Sequence, residues 1–451
     1  MQLLVGHQQQ TNNTMKQNAA MPKNNPRIIN AWASYDWANS VYNLVITTTI
    51  FPIFFNQATR AAFGSEKVEF FGLTIENTVL YSYAIALSYL IIAAISPPLS
   101  AMADYGGTKK RFMQFFTYLG AGSCLCLFFF DGTNVELGII CAGIASIGYA
   151  GGMIFYNAFL PEIATEDKFD SVSARGFAMG YVGSVLLQIL NILMTLEDTY
   201  KYFGFENEAE GARWSFLSVG IWWIVFAQIP FYYLKDNPKK NKEKINWFKK
   251  GFEELQLVWN EAKKLPSLMK FLISFFFFNM GVQTVMFMAS LFGEKELKLE
   301  TANLIAIILI IQVVAILGAY LFAKLSDKKG NIFSLSILIG LWILICGLAY
   351  FVQTAEHFYG LAILVGLVMG GIQSLSRSTY SKLLPKDTPD TASYFSFFNV
   401  ADRLSTSIGM GVFALIEDYS SSMRNGIFAL TIFFVIGLIV LLKINRKAIK
   451  I

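Results

Sequence analysis

Apolar residues in this chain run in long blocks separated by short polar breaks. The blocks fall at about 32–56, 78–103, 112–130, 136–160, 176–198 and 212–234, then 268–292, 301–323, 331–353, 357–384, 392–416 and 424–443. Each is close to the ~20 residues a helix needs to cross the hydrocarbon core of a bilayer. A helix satisfies its own backbone there, which an isolated strand or open loop cannot do. The pattern predicts an all-α integral membrane protein with twelve transmembrane helices in two sets of six, interrupted by a basic stretch near Lys235–Lys270.

The polar segments complete the layout. Met1–Arg27 is rich in Gln and Asn, which predicts a disordered tail over residues 1–31. Met1–Gly6 is too short and uncharged to serve as a signal peptide. A first bundle is expected over 32–234, a linker over 235–267, a second bundle over 268–443 and a short tail over 444–451. Within the linker, Ile245, Phe248, Phe252, Leu255, Trp259 and Ala262 recur at steps of three and four, with Lys and Glu between. That spacing predicts an amphipathic helix lying on the membrane surface and tethering the two halves.

Composition narrows the chemistry. With 55% hydrophobic residues and a mean hydropathy of +0.48, the chain has no room for a large water-soluble domain. Most of its 36 basic residues fall in the tails and the even-numbered loops, so the positive-inside rule places both termini in the cytoplasm. The net charge of +5 reports this bias and gives no reason to invoke nucleic acid. Only His7 and His357 are available, which leaves almost no room for a His-based catalytic or zinc centre; no cofactor or metal is expected. Cys124, Cys126, Cys141 and Cys346 all lie inside spans and read as small hydrophobes. No Gly-x-x-x-x-Gly-Lys-Ser/Thr loop is present, so direct ATP hydrolysis is unsupported.

The two halves share landmarks. Asp104 is followed by Gly107 and a basic cluster, and Asp327 by Gly330 with lysines adjacent; the two Asp residues lie 223 positions apart. Tyr156 and Pro161 recur as Tyr380 and Pro385, with the prolines 224 apart. Agreement within one residue argues for a duplicated six-helix unit. In each loop Gly permits a tight turn, Lys and Arg hold the loop at the anionic leaflet, and Asp can face the positive end of a neighbouring helix. Asp104, Gly107, Asp327 and Gly330 are therefore read as a conformational loop pair rather than as solute ligands.

On these residues the chain resembles the major facilitator superfamily, Ala103–Arg111 being similar to its signature loop. Three further stretches resemble the vacuole-effluxer-like family, the autophagy-related fungal amino-acid effluxers and their bacterial relatives. They are Trp32–Ser40, then Tyr156–Glu162 with Ser173–Tyr181, and Gln373–Ser378. The resemblance spans about residues 28–445 and departs from the family pattern at Tyr394–Phe398 and Gly409–Gly411, in the eleventh span. It implies two six-helix bundles with the first, fourth, seventh and tenth helices around a central cavity. It also implies efflux or exchange of small solutes, neutral amino acids first among them.

Polar residues inside the spans point to the same cavity, because ionisable and amide groups in a bilayer face a cavity or one another. The candidates for lining it are Asp36, Asn39 and Asn43 on the first span, Tyr156 on the fourth and Gln188 on the fifth, with Asn279 and Gln283 on the seventh and Gln373 and Arg377 on the tenth. Asp402 and Arg403 on the eleventh form a coupling site or a charge pair. Two readings stand side by side. In one, Asp402 neutralises Arg377 or Arg403 and holds the tenth and eleventh helices together. In the other, Arg377 binds a solute carboxylate while Asp36 or Asp402 takes up protons, since burial raises a carboxylate pKa. The expected activity is transport of a small solute by alternating access, with or without proton coupling, by a monomer in a bacterial inner membrane. The rivals are a lipid-modifying membrane enzyme, which would need an interfacial His, Asp or Glu cluster, and a scaffold, which would not need the duplicated loops.

Overall fold

The computed structural model describes residues 21–236, 247–420 and 422–445. Ile245 and the outer parts of both expected tails lie outside the described residues. Among the described residues, eleven helices are long and apolar enough to cross a membrane. The first six are Pro26–Phe63, Asn77–Gly106, Lys109–Phe129, Val135–Ile163, Glu166–Thr195 and Glu208–Tyr233. The others are Pro266–Ala289, Asn303–Lys329, Asn331–Phe351, Ala355–Leu383 and Met423–Leu442. Between the last two runs the helix Thr391–Ser420, the eleventh span in order, whose Asn399, Asp402 and Arg403 make it less apolar than the rest.

Several elements depart from the sequence expectation. The tail expected to reach residue 31 gives way to helix at Pro26, because Asn25 Oδ1 accepts from the Arg27 N–H at 2.9 Å and Pro26 occupies the first turn. Ile28 and Ile29 are then buried. The first span also outruns its apolar block, and it is π-helical over Asn43–Thr49. That wider turn leaves carbonyls without their usual partners. Hydroxyls take them up: Thr48 and Thr49 donate to Leu44 O at 2.8 and 2.6 Å, and Tyr81 donates to Ile46 O and Thr47 O at 3.3 Å. A small antiparallel hairpin, Lys67–Phe70 with Leu73–Glu76, follows the first span. Its two turn residues, Phe71 and Gly72, both have positive φ, as a two-residue hairpin turn requires.

Burial separates the spans into two classes. The apolar windows of the first, fourth, seventh and tenth spans are 72%, 56%, 61% and 67% buried, and no other qualifying span exceeds 50%. Those four therefore form the inner ring. Between the halves, the second span packs against the eleventh and the fifth against the eighth and tenth. The linker helix Trp247–Lys263 lies along the second span, with Val258 and Ala262 buried and the Trp259 ring 5.1 Å from Phe397. Phe252 is exposed to the surroundings of the helix, while Gly251 makes the close approach to Pro98 and Met102 of the second span.

Candidate functional site

Arg377, from the tenth span, crosses into the first half of the molecule and is 2% exposed. Its Nε donates to Ser173 Oγ at 2.9 Å and its Nη2 to Ser173 O at 2.8 Å. Nη1 donates at 3.2 Å to both Asp36 Oδ2 and Asn157 Oδ1. The guanidinium lies over the rings of Phe177 and Trp32, at 4.2 and 4.8 Å from their centroids. Tyr156 donates its hydroxyl to Asp36 Oδ2 at 2.7 Å, and its backbone oxygen accepts from Trp32 Nε1 at 2.9 Å. A carboxylate and a guanidinium at this depth are tolerated only because their hydrogen-bonding atoms meet protein partners. Glycine makes room for them: a Cβ on Gly176 would come within 2.6–2.8 Å of Asp36 Oδ2, Arg377 Nη2 and Tyr156 OH.

Two further links join the halves between this centre and the face where the first span begins, called here the N-terminal face. Asp104 accepts from the backbone N–H groups of Ala392 and Ser393 at 3.2 and 2.7 Å, and so caps the start of the eleventh span. Gly107 ends the second span at φ 64°. Lys109 is not a lipid anchor as its loop position suggested. It is buried, 3.1 Å from Asp104 and 2.5 Å from Glu162, and donates to Pro389 O and Thr391 Oγ1. On the opposite flank Asp170 accepts from Asn331 Nδ2 and Lys382 Nζ, both at 2.8 Å. Asp327, the repeat-related partner of Asp104, is exposed, and Gly330 turns the chain at φ 88°. The duplicated loops are therefore unequal: the first reaches across the interface, and Asn331 and Lys382 serve the second flank.

The other expected residues sit deeper. Tyr181 donates to Gln373 at 2.7 Å, again across the halves. The cross-bundle ties named so far, with Lys23–Asp387 and Lys386–Glu166, lie from the N-terminal face to this level. Asp402 accepts from Asn279 Nδ2 at 2.9 Å and lies 3.4 Å from Arg403 Nε. Gln283 bonds Asn279, and the Arg403 guanidinium stacks on Tyr89 of the second span at 4.7 Å. Gln188 is buried and accepts from Thr49 at 3.2 Å. Asn39 is buried against Met153, whereas Asn43, the first residue of the π-helical turn, is exposed. Of the two partners expected for Asp402, Arg403 is the one it meets; Arg377 takes Asp36 instead. Sequence reasoning missed Asn157, Ser173, Asp170, Lys382 and Tyr89 as site residues. For Ser173, Asn157 and Gly176 the signal was there, since all three fall within the resembling stretches.

A cavity of about 940 Å³ lies between the linker helix and the second, seventh and eleventh spans, lined by Phe252, Trp259, Phe276, Phe277 and Phe397 among others. None of the expected solute-path residues lines it, so its volume says nothing about the path between the bundles.

Comparison with known proteins fits this architecture. The family model described as "Vacuole effluxer Atg22 like" matches residues 24–450. An uncharacterized MFS-type transporter, YxiO of Bacillus subtilis (strain 168), is 32% identical over 91% of this chain and 93% of its own. Autophagy-related protein 22 of Yarrowia lipolytica is 23% identical, over 84% and 78%. Among solved structures, the human organic anion transporter MFSD10 (TETRAN) superposes with a TM-score of 0.70 at 12% identity, covering 92% and 99%. The transporter FucP in its outward conformation gives 0.67 at 13%, covering 93% and 99%; at such identities the likeness establishes the fold. With two repeat-related sets of helices, a polar seam between them and a family match over nearly its whole length, the chain is a multi-pass membrane transporter of the major facilitator superfamily and belongs to the Atg22-like vacuole effluxer family.

Proposed function

We propose that this chain carries small solutes, neutral amino acids foremost, by alternating access of two bundles around a central path, with both termini in the cytoplasm of a bacterial cell. One observation carries the reading: the halves meet at the N-terminal face through ion pairs and helix caps centred on Arg377 and Asp36. Polar contacts can be exchanged for water at small net cost once they reach it, so such a seam opens and closes where an apolar core would not. With the N-terminal face cytoplasmic, the structure is the outward-directed form, its inner gate shut.

Asp36, Tyr156, Asn157, Ser173 and Arg377 form the gate. Asp402, Arg403, Asn279 and Gln283 sit beyond it, where solute arrives. A scaffold would gain nothing from buried charges shared between two halves, which are costly to hold in a membrane. The B. subtilis relative favours a bacterial plasma membrane, while the fungal relatives are named for autophagy. Purified protein in liposomes loaded with unlabelled L-leucine should take up labelled L-leucine by counterflow. Uptake that ignores solute on the far side, for amino acids and other labelled solutes alike, would rule out a carrier.

A further inference from the structure

The geometry points to the Asp402–Arg403 pair, with Asn399, as the binding site for the charged ammonium and carboxylate groups of a zwitterionic α-amino acid. The inference rests on the carrier reading above and supplies its solute site. Arg377 is badly placed for this role in the same state, because Ser173, Asp36 and Asn157 take four of its five N–H donors. Arg403 differs. Its Nε is buried without a hydrogen-bond partner, and so is Nδ2 of Asn399. The two residues are four apart and share one face of the eleventh helix. Asn399 is 6% exposed, so its amide donor is held away from solvent with nothing to bind. Unmet buried donors are costly, and an arriving carboxylate oxygen removes that cost.

The acidic side of the site is equally defined. Asp402 is held by Asn279 through Oδ1, which leaves Oδ2 toward Arg403 at 3.4 Å. That pair is outside good hydrogen-bond geometry, so it balances charge without tying up the donor. An α-amino acid presents its own cation and anion at similar separation. Laid antiparallel to the pair, it meets Arg403 with its carboxylate and Asp402 with its ammonium. Tyr89 fixes the guanidinium plane by stacking at 4.7 Å, and the hydroxyl of Tyr42 from the first span is buried and unpartnered. Both tyrosines belong to the opposite half, so a solute here touches both bundles. Asp402 and Arg403 are partly exposed, and Arg403 lies about 15 Å along its helix from Ser393, whose N–H Asp104 accepts, at 1.5 Å per residue.

The test uses the full chain in nanodiscs and in proteoliposomes, with three probes of matched shape: L-leucine, 4-methylpentanoate, which lacks the ammonium, and 3-methylbutylamine, which lacks the carboxylate. By calorimetry L-leucine should bind at least about ten-fold more tightly than either half, as one charge-assisted contact predicts. Arg403→Gln should abolish that advantage over the amine without weakening amine binding. Arg403→Lys, which keeps the charge, should retain part of it. Asp402→Asn should make L-leucine and 4-methylpentanoate equivalent. A purely structural role would weaken all three probes alike and overturn the assignment. So would wild-type L-leucine affinity in Arg403→Gln, or wild-type protein that counterflows another solute but ignores L-leucine. Counterflow of no labelled solute by wild-type protein would instead remove the carrier reading itself.

Discussion

Replacing Asp36 with Asn isolates the charge at the centre of the gate. The substitution keeps the side chain's size and still offers Tyr156 an oxygen acceptor, but it removes the carboxylate that faces Arg377 at 3.2 Å. Breaking a buried pair on one side costs ~3–5 kcal/mol, because the remaining charge stays in a low-dielectric site. When the gate opens, Arg377 reaches water and that penalty disappears. The cost therefore falls on the closed form alone and shifts the open-to-closed ratio by roughly 10²-fold or more. Ala174 reports the ratio, since it is fully buried between the halves against Ala319 and Ala323. In a cysteine-free background, Ala174→Cys should react slowly with a hydrophilic maleimide applied from the N-terminal face, and much faster once Asp36→Asn is added. Adding Arg377→Gln to Asp36→Asn should restore slow labelling, because no buried charge then remains. Unchanged labelling together with a lower melting temperature would refute the argument: the pair would then serve packing and not the gate.

Gly176→Ala should produce the same fast labelling by steric means, since the new methyl lands on Asp36, Arg377 and Tyr156 at once; overpacking of this kind costs about 1–3 kcal/mol, read as a fall in melting temperature. Asp104→Ala should destabilise the closed gate by ~0.5–2 kcal/mol through loss of the cap on the eleventh span, and amide exchange at Ala392 and Ser393 should quicken. Asp131, in the loop before the fourth span, accepts from the Thr133 N–H and hydroxyl, which hold its carboxyl below the usual range. A depressed carboxyl stabilises above its unfolded pKa and loses the effect as pH falls through the folded one. The stability gap between wild type and Asp131→Ala should therefore be present at neutral pH and close in acid, by thermal unfolding at a series of pH values.

The spans and their pairing were legible in the sequence because membrane helices advertise themselves by length and apolarity. The polar faces of the first and fifth spans were legible from steps of three and four. Partner choice was not. Arg377 could be seen to need an anion, and Asp402 or a solute carboxylate was offered; Asp36 was not weighed, because only the crossing of the tenth span to the first and fifth brings the two together. The π-helical turn at Asn43–Thr49 gave no sequence signal, because spacing arguments assume a constant 3.6 residues per turn. Lys109 was misread because a lysine in a basic loop looks solvent-facing, and only the approach of Pro389 and Thr391 from the other half makes it a tie. Tyr89 gave no signal at all, being one aromatic among many in an apolar block.

The wide turn at Asn43–Thr49 has a mechanical meaning. It divides the first span into an inner rod that bears Asp36 and an outer rod that begins at Ile50, joined where ordinary helical bonds are already given up and hydroxyls from Thr48, Thr49 and Tyr81 stand in. Such side-chain substitutes can swing with the backbone. In the carrier proposed above, the rod beginning at Ile50 would tilt over a captured solute while the rod bearing Asp36 keeps its grip on Arg377, so that sealing behind the cargo and releasing it ahead become two separate movements of one helix.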